Sequence, residues 1–114
     1  MRQGLNTSAF VVLGASGSGR LELGPADRPG SPYWTVKRVV VGTNRPGLAP
    51  VPSMALYLDS EDESGLQDVT YDGSRDSSEV DIDMQRGQRL IAVWSGGQAG
   101  DRAFLSVTGW KGET

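Results

Sequence analysis

Apolar residues recur at every second position in short segments along this chain, and glycine or proline separates the segments. Between Glu79 and Met84, for example, Val80, Ile82 and Met84 alternate with carboxylates. A period of two places alternate side chains on opposite faces of a β-strand. No long segment shows the helical period of about 3.6 residues, so the pattern predicts an all-β fold.

The alternation predicts about seven or eight short strands joined by tight turns. The candidate strands cover residues 8–13, 20–23, 33–43, 54–58, 67–71, 79–84, 90–94 and 103–108. Evenly spaced short strands of this kind are typical of an antiparallel β-sandwich, either jelly-roll or immunoglobulin-like.

The longest candidate strand needs an irregularity to bury its apolar residues. Trp34 and Val36 share one parity, whereas Val39 and Val41 have the other. One extra residue in the strand would bring all four onto the same face. We therefore predict a β-bulge near residues 37–38.

A chain of 114 residues is expected to form one domain. Residues 9–110 carry the alternating pattern and are expected to form a single β-sandwich domain. Residues 1–8 and 111–114 lack a core pattern, so we expect a flexible N-terminal arm and a loose C-terminal tail.

Composition excludes several classes of function. The net charge of −3 disfavours binding to the phosphate backbone of nucleic acids. No apolar run approaches the roughly 20 residues of a membrane-spanning helix, so we expect no membrane partner. The chain has no cysteine and no histidine, which removes disulfides, thiolate ligands and the commonest catalytic base.

The glycine-rich segment at residues 14–19 resembles a phosphate-binding loop, but the residues that do the chemistry are missing. Arg20 stands in place of the lysine and Leu21 in place of the hydroxyl that holds magnesium. Ser16 and Ser18 have no histidine to activate them. We expect a simple turn here, no cofactor and no enzymatic activity.

An acidic segment presents Asp59, Glu61 and Glu63 at alternate positions, as at the start of an EF-hand loop. Ser64 stands where that loop needs glycine, and Thr70 where it needs a bidentate glutamate. The alternative left open is an irregular calcium site that also uses Asp68, Asp72 or Asp76. Solvated carboxylates are the more common arrangement, so we predict no metal ligand.

Six aromatic residues could form a binding platform: Tyr33, Trp34, Tyr57, Tyr71, Trp94 and Trp110. Trp34 and Trp94 are in phase with apolar neighbours and are expected in the core. Tyr57 and Trp110 are off-phase or at a strand end. We therefore predict that Tyr57 and Trp110 are surface contacts, since exposed aromatic residues are enriched at protein interfaces.

Five segments of the chain, taken in order, resemble a known family of proteins. They are YWTVKRVVV (33–41), ALYL (55–58), DGSRDSSEVDID (72–83), GQRLIAVW (87–94) and a glycine-rich turn at 96–100. In this order they resemble small virion proteins of tailed bacteriophages that infect actinobacteria. The resemblance covers about two-thirds of the chain, spans residues 33–110 and carries over no active-site residue.

This resemblance implies a non-enzymatic structural protein of the virion, made in the host cytoplasm. The expected role is a capsid decoration protein that binds the major capsid protein and stabilises the assembled shell, with homo-oligomers favoured by particle symmetry. One alternative is a tail or baseplate component that contacts tail proteins. The other is a carbohydrate-binding module that uses exposed aromatic residues.

Overall fold

Eight antiparallel strands make up the protein in a computed structural model that describes residues 3–44, 47, 49–61 and 64–112, with the backbone alone for 68–70. The strands are β1 (Gln3–Val12), β2 (Gly19–Leu23), β3 (Tyr33–Thr43), β4 (Ser53–Leu58), β5 (Leu66–Asp72), β6 (Arg75–Met84), β7 (Leu90–Ser95) and β8 (Arg102–Gly112). The all-β prediction is confirmed. Within these residues no helix of a length and hydropathy suited to crossing a membrane occurs.

The strands form two four-stranded sheets that pack face to face. The front sheet has the order β1-β8-β3-β6 and the back sheet the order β2-β7-β4-β5. Strands pair as β1 with β8, β2 with β7, β3 with β6 and β4 with β5. The chain is thus one long antiparallel ribbon, folded back between β4 and β5 and wrapped into a sandwich. This is the jelly-roll arrangement and not the immunoglobulin one.

The core lies between the sheets and consists of the inward residues of the alternating strands. Its fully buried members include Val36, Met84, Leu105, Val107 and Trp94. The indole N–H of Trp94 donates a hydrogen bond to the Gly73 carbonyl at 3.0 Å, so the turn between β5 and β6 is attached to the core. Trp94 therefore occupies the position that its phase predicts.

The bulge predicted in β3 is confirmed. The register of β3 shifts between Val36 and Arg38 against both of its neighbours, β6 and β8. Val39 and Val41 are consequently buried on the same side as Val36. Trp34 is on this side too, but it is only half-buried and packs at the margin of the core.

The structure differs from the sequence analysis at both ends of the chain. Residues 3–8 are not a flexible arm, because they form the first part of β1 and pair with Lys111 through Ser106 of β8. Lys111 and Gly112 likewise belong to β8 and not to a loose tail. Neither segment has a strong apolar pattern, and each is ordered by pairing with a strand from the far end of the chain. Residues 1–2 and 113–114 of the expected arm and tail lie outside the described residues.

The glycine-rich segment forms a turn that carries the chain from the front sheet to the back sheet. The Gly14 N–H donates to the Ser18 carbonyl at 2.9 Å, and the strand β2 follows instead of a helix. A second turn, between β7 and β8, lies against it: the Gly97 N–H donates to the Gly17 carbonyl at 2.9 Å. The segment is therefore a corner of the sandwich, without the helix that a phosphate-binding loop requires.

Candidate interaction surface

The outward side chains of β1 and β8 form a surface almost free of charge, which we call the β1–β8 face. Its residues lie opposite one another in five pairs: Gly4 and Trp110, Asn6 and Thr108, Ser8 and Ser106, Phe10 and Phe104, Val12 and Arg102. Arg102 is the one charged residue among them. Charged residues are depleted at the centres of protein interfaces and abundant on ordinary surfaces, so this face has the composition of an interface.

Large apolar side chains are concentrated at one end of the β1–β8 face. Phe10 is 59% exposed and Val12 is 56% exposed, and Phe104 lies beside them with partial exposure. The Arg102 guanidinium stacks over the Phe10 ring at 4.9 Å from its centroid, a cation–π contact. The end of this face therefore offers an apolar patch with one positive charge held against it.

Gly42 of β3 gives the Phe104 ring its position. A Cβ atom at residue 42 would lie 2.8 Å from two carbons of that ring, so the ring lies directly over the glycine. Glycine inside a strand often marks such a close approach. The Phe104 ring therefore leans toward β3, on the side of β8 away from β1.

The other half of the front sheet has an ordinary charged surface. The Lys37 ammonium forms an ion pair with Asp81 at 2.8 Å, and the Thr35 hydroxyl donates to Asp83 at 3.0 Å. Exposed pairs of this kind contribute little to stability. Charged side chains thus border the β1–β8 face in part, whereas the outward Val40 of β3, opposite Ser106, is uncharged.

The two aromatic residues predicted as surface contacts do not lie together. Trp110 is 44% exposed and lies on the β1–β8 face, at the end opposite Phe10. Tyr57 is half-buried on the outer side of β4 in the back sheet, between Leu66 and Ile91. A single partner surface could contact one of them without the other, so their role as contacts stays a prediction.

An open depression of about 350 Å³ lies at the end of the sandwich that carries Trp110. Tyr33, Trp34, Asp83 and Gln85 contribute to its lining. An adjoining depression shares Tyr33 and Gln85 and adds Arg86. Two aromatic rings next to polar side chains could contact a sugar ring.

The described carboxylates of the acidic segment bind protein donors. Asp59 accepts a hydrogen bond from the Gln88 side chain at 2.8 Å and another from the Arg89 backbone N–H at 3.0 Å. Glu61 forms an ion pair with Arg20. These contacts attach the β4–β5 loop to the β6–β7 turn and to β2.

The calcium alternative gains no support from the described part of the chain, in which no cluster of three acidic side chains could hold a metal ion. Asp76 accepts hydrogen bonds from the backbone N–H groups of Asp72 and Ser77. Glu63 and the side chain of Asp68, which that alternative also uses, lie outside the described residues.

Asp72 organises the turn between β5 and β6. Its carboxylate accepts hydrogen bonds from the Ser74 hydroxyl at 2.7 Å and from the Ser74 backbone N–H at 2.9 Å. Both bonds favour the ionised form, and they lower the pKa of Asp72 below its ordinary value. The role of this carboxylate is structural, because it fixes the turn that receives the Trp94 indole.

Sequence reasoning missed the apolar patch of Phe10, Val12 and Phe104. In β1 both parities are apolar, since Ala9 and Val11 alternate with Phe10 and Val12, so the period does not show which set points outward. Phe104 could have been found, because it alternates with Ala103 and Leu105 and is therefore off-phase.

Comparison with models of known protein families and with curated proteins finds no match to this chain.

Proposed function

We propose that the chain is a non-enzymatic structural protein of a phage virion, a decoration protein that binds the outer surface of the capsid. The family resemblance supplies the virion context. The observation that carries the binding role is the β1–β8 face, which has one charged residue and an exposed apolar patch. Jelly-roll domains are frequent among viral capsid proteins, which adds support at the level of the fold.

The physical requirements of decoration fit this chain. A decoration protein must fold on its own, then bind a repeated surface without performing chemistry. The apolar patch supplies the hydrophobic contact that dominates association, and the polar rest of the face, with Asn6, Ser8 and Ser106, can form hydrogen bonds with a partner.

The test is binding of the purified protein to empty heads of the phage that encodes it, measured by co-sedimentation. The double variant Phe10→Ser/Phe104→Ser removes the apolar patch and is expected to weaken binding at least about tenfold, as for residues at the centre of an interface. The matched control is Leu66→Ser, which removes an exposed apolar side chain from the back sheet. Equal binding by the two variants would contradict the role of the face.

Attachment to the tail, the alternative location within the virion, gives a distinct result in the same assay. Purified tails would then bind the protein, with the same sensitivity to the double variant, and empty heads would not. The head assignment would then be replaced by a tail or baseplate role.

A carbohydrate-binding module is the second candidate, and the depression lined by Tyr33 and Trp34 is the observation that favours it. A glycan array probed with the wild type and with Tyr33→Ala tests this function. Binding that is lost in the variant supports the module. Absence of binding to any glycan, together with binding to heads, supports the decoration role.

A further inference from the structure

The four strands at the sheet edges differ sharply in charge. Strand β6 carries five charged side chains, and β2 and β5 carry two each. Strand β1 carries none in its ten residues, and it pairs with β8 without any register shift. Proteins commonly protect exposed sheet edges with charge, proline or bulges. The β1 edge has none of these.

Burial along β1 shows that the sandwich is open beside this strand. Thr7, Ala9 and Val11 point inward, yet all three are only half-buried, whereas Leu5 at the start of the strand is buried. Their partners in β8 are Val107, Leu105 and Ala103, and each of these is fully buried. A further strand beside β1 would cover the inward residues that the back sheet leaves exposed.

We propose that β1 pairs antiparallel with β1 of a second copy, so that the two front sheets join into one eight-stranded sheet. A strand about 33 Å long would offer its free backbone N–H and C=O groups to the same strand of the partner. A two-fold axis makes such an interface self-complementary.

The charge distribution favours a second copy of the chain as the partner that pairs with the β1 edge. Each chain carries a net charge of −3, so two copies repel at most of their surface. Pairing through β6 would place Glu79, Asp81 and Asp83 near the same residues of the partner. Pairing through β1 brings no charges together along the strand. It also joins two β1–β8 faces into one continuous surface with few charges, although the inference does not depend on what that surface binds.

The first test measures the oligomeric state in solution by analytical ultracentrifugation. Protein concentrations from about 1 μM to about 1 mM cover the range of weak homodimers. The wild type is expected to reach twice the monomer mass. The variant Asn6→Lys/Ser8→Lys adds two outward lysines to β1 and is expected to weaken the dimer at least tenfold. Both residues are exposed, so the thermal unfolding temperature should change little.

The matched control is Glu79→Lys, which makes the same net change in charge at the opposite edge of the front sheet. This variant is expected to dimerise like the wild type. A wild type that stays monomeric over the whole range would overturn the proposal, and the β1 edge would then be left for a strand of another protein. A dimer that is weakened equally by both variants would also overturn it.

The second test locates the contact directly. The natural chain has no cysteine, so single variants Asn6→Cys, Ser8→Cys and Phe10→Cys can be oxidised one at a time. Antiparallel pairing about a two-fold axis predicts fast disulfide cross-linking at the residue nearest the axis and slower reaction on either side. The control Ser77→Cys on β6 should cross-link slowly. Equally slow cross-linking at all four positions would contradict pairing through β1.

Discussion

Individual glycines determine how closely the turns at one corner of the sandwich approach each other. Gly17 has a positive φ of 73°, and a Cβ atom there would lie 1.9 Å from the Gly97 carbonyl oxygen. The obstacle is backbone, which cannot rotate away like a side chain. Gly96 has a similar φ of 76°, but nothing lies within 4 Å of its Cβ position. Alanine variants at Gly17 and Gly96 therefore separate the cost of an unfavourable φ from the cost of a steric clash.

We expect Gly17→Ala to lower the free energy of unfolding by about 3 kcal/mol or more, because strain and a backbone clash add together. Gly96→Ala should cost about 1 kcal/mol, since only the unfavourable φ contributes. Urea denaturation monitored by tryptophan fluorescence measures both values. Equal losses would show that the two corner turns are not in contact.

The Asp72 carboxylate makes the free energy of unfolding depend on pH. Its pKa is lower in the folded protein than its ordinary value, because Ser74 donates two hydrogen bonds to it. A carboxyl group of this kind stabilises the fold above its ordinary pKa of about 4, and the contribution is lost as the pH falls through the folded value.

The variant Asp72→Asn should therefore be less stable than the wild type at pH 7, and the difference should shrink below about pH 4. Denaturation curves recorded between pH 7 and pH 2 provide the measurement. A difference between the two proteins that stays constant over this range would refute the role assigned to the ionised carboxylate.

Among the elements, strand β3 shows how an irregularity can be read from a sequence. The parity of its apolar residues changes at residue 37, and a bulge is the one local device that keeps Val36 and Val39 on the same face. The position of the bulge could be predicted because it depends on neighbouring residues. Strand β1 could not be delimited in this way: residues 3–8 are ordered by pairing with β8, which lies about a hundred residues later in the chain.

The bulge predicts losses of unequal size for two adjacent valines. Val39→Ala should lower the free energy of unfolding by about 2 kcal/mol, because Val39 is fully buried and its truncation leaves a cavity. Val40→Ala should cost less than about 1 kcal/mol, since Val40 is half-buried and points outward. Thermal and urea denaturation of both variants test this difference, and a larger loss for Val40→Ala would exclude the bulge.

At the scale of the whole molecule, the wrapped ribbon places the first and last strands side by side. This pairing creates the β1–β8 face from segments that are far apart in the sequence. The all-β class, the strand pattern and the buried Trp94 could be predicted from local alternation. The partners of each strand could not, because pairing between distant strands depends on how the whole chain folds. The β1–β8 face as a unit could not be predicted for the same reason, although Trp110 on it was predicted to be a surface residue.

The proposed role of this chain is attachment to the outside of a phage head through the β1–β8 face. Cryo-electron microscopy of the particle, with and without this protein, tests that claim most directly. We expect extra density on the outer shell that fits the jelly roll, with Phe10 and Phe104 turned toward the capsid, and no such density in its absence. Identical heads in the two preparations, or density confined to the tail, would contradict the account.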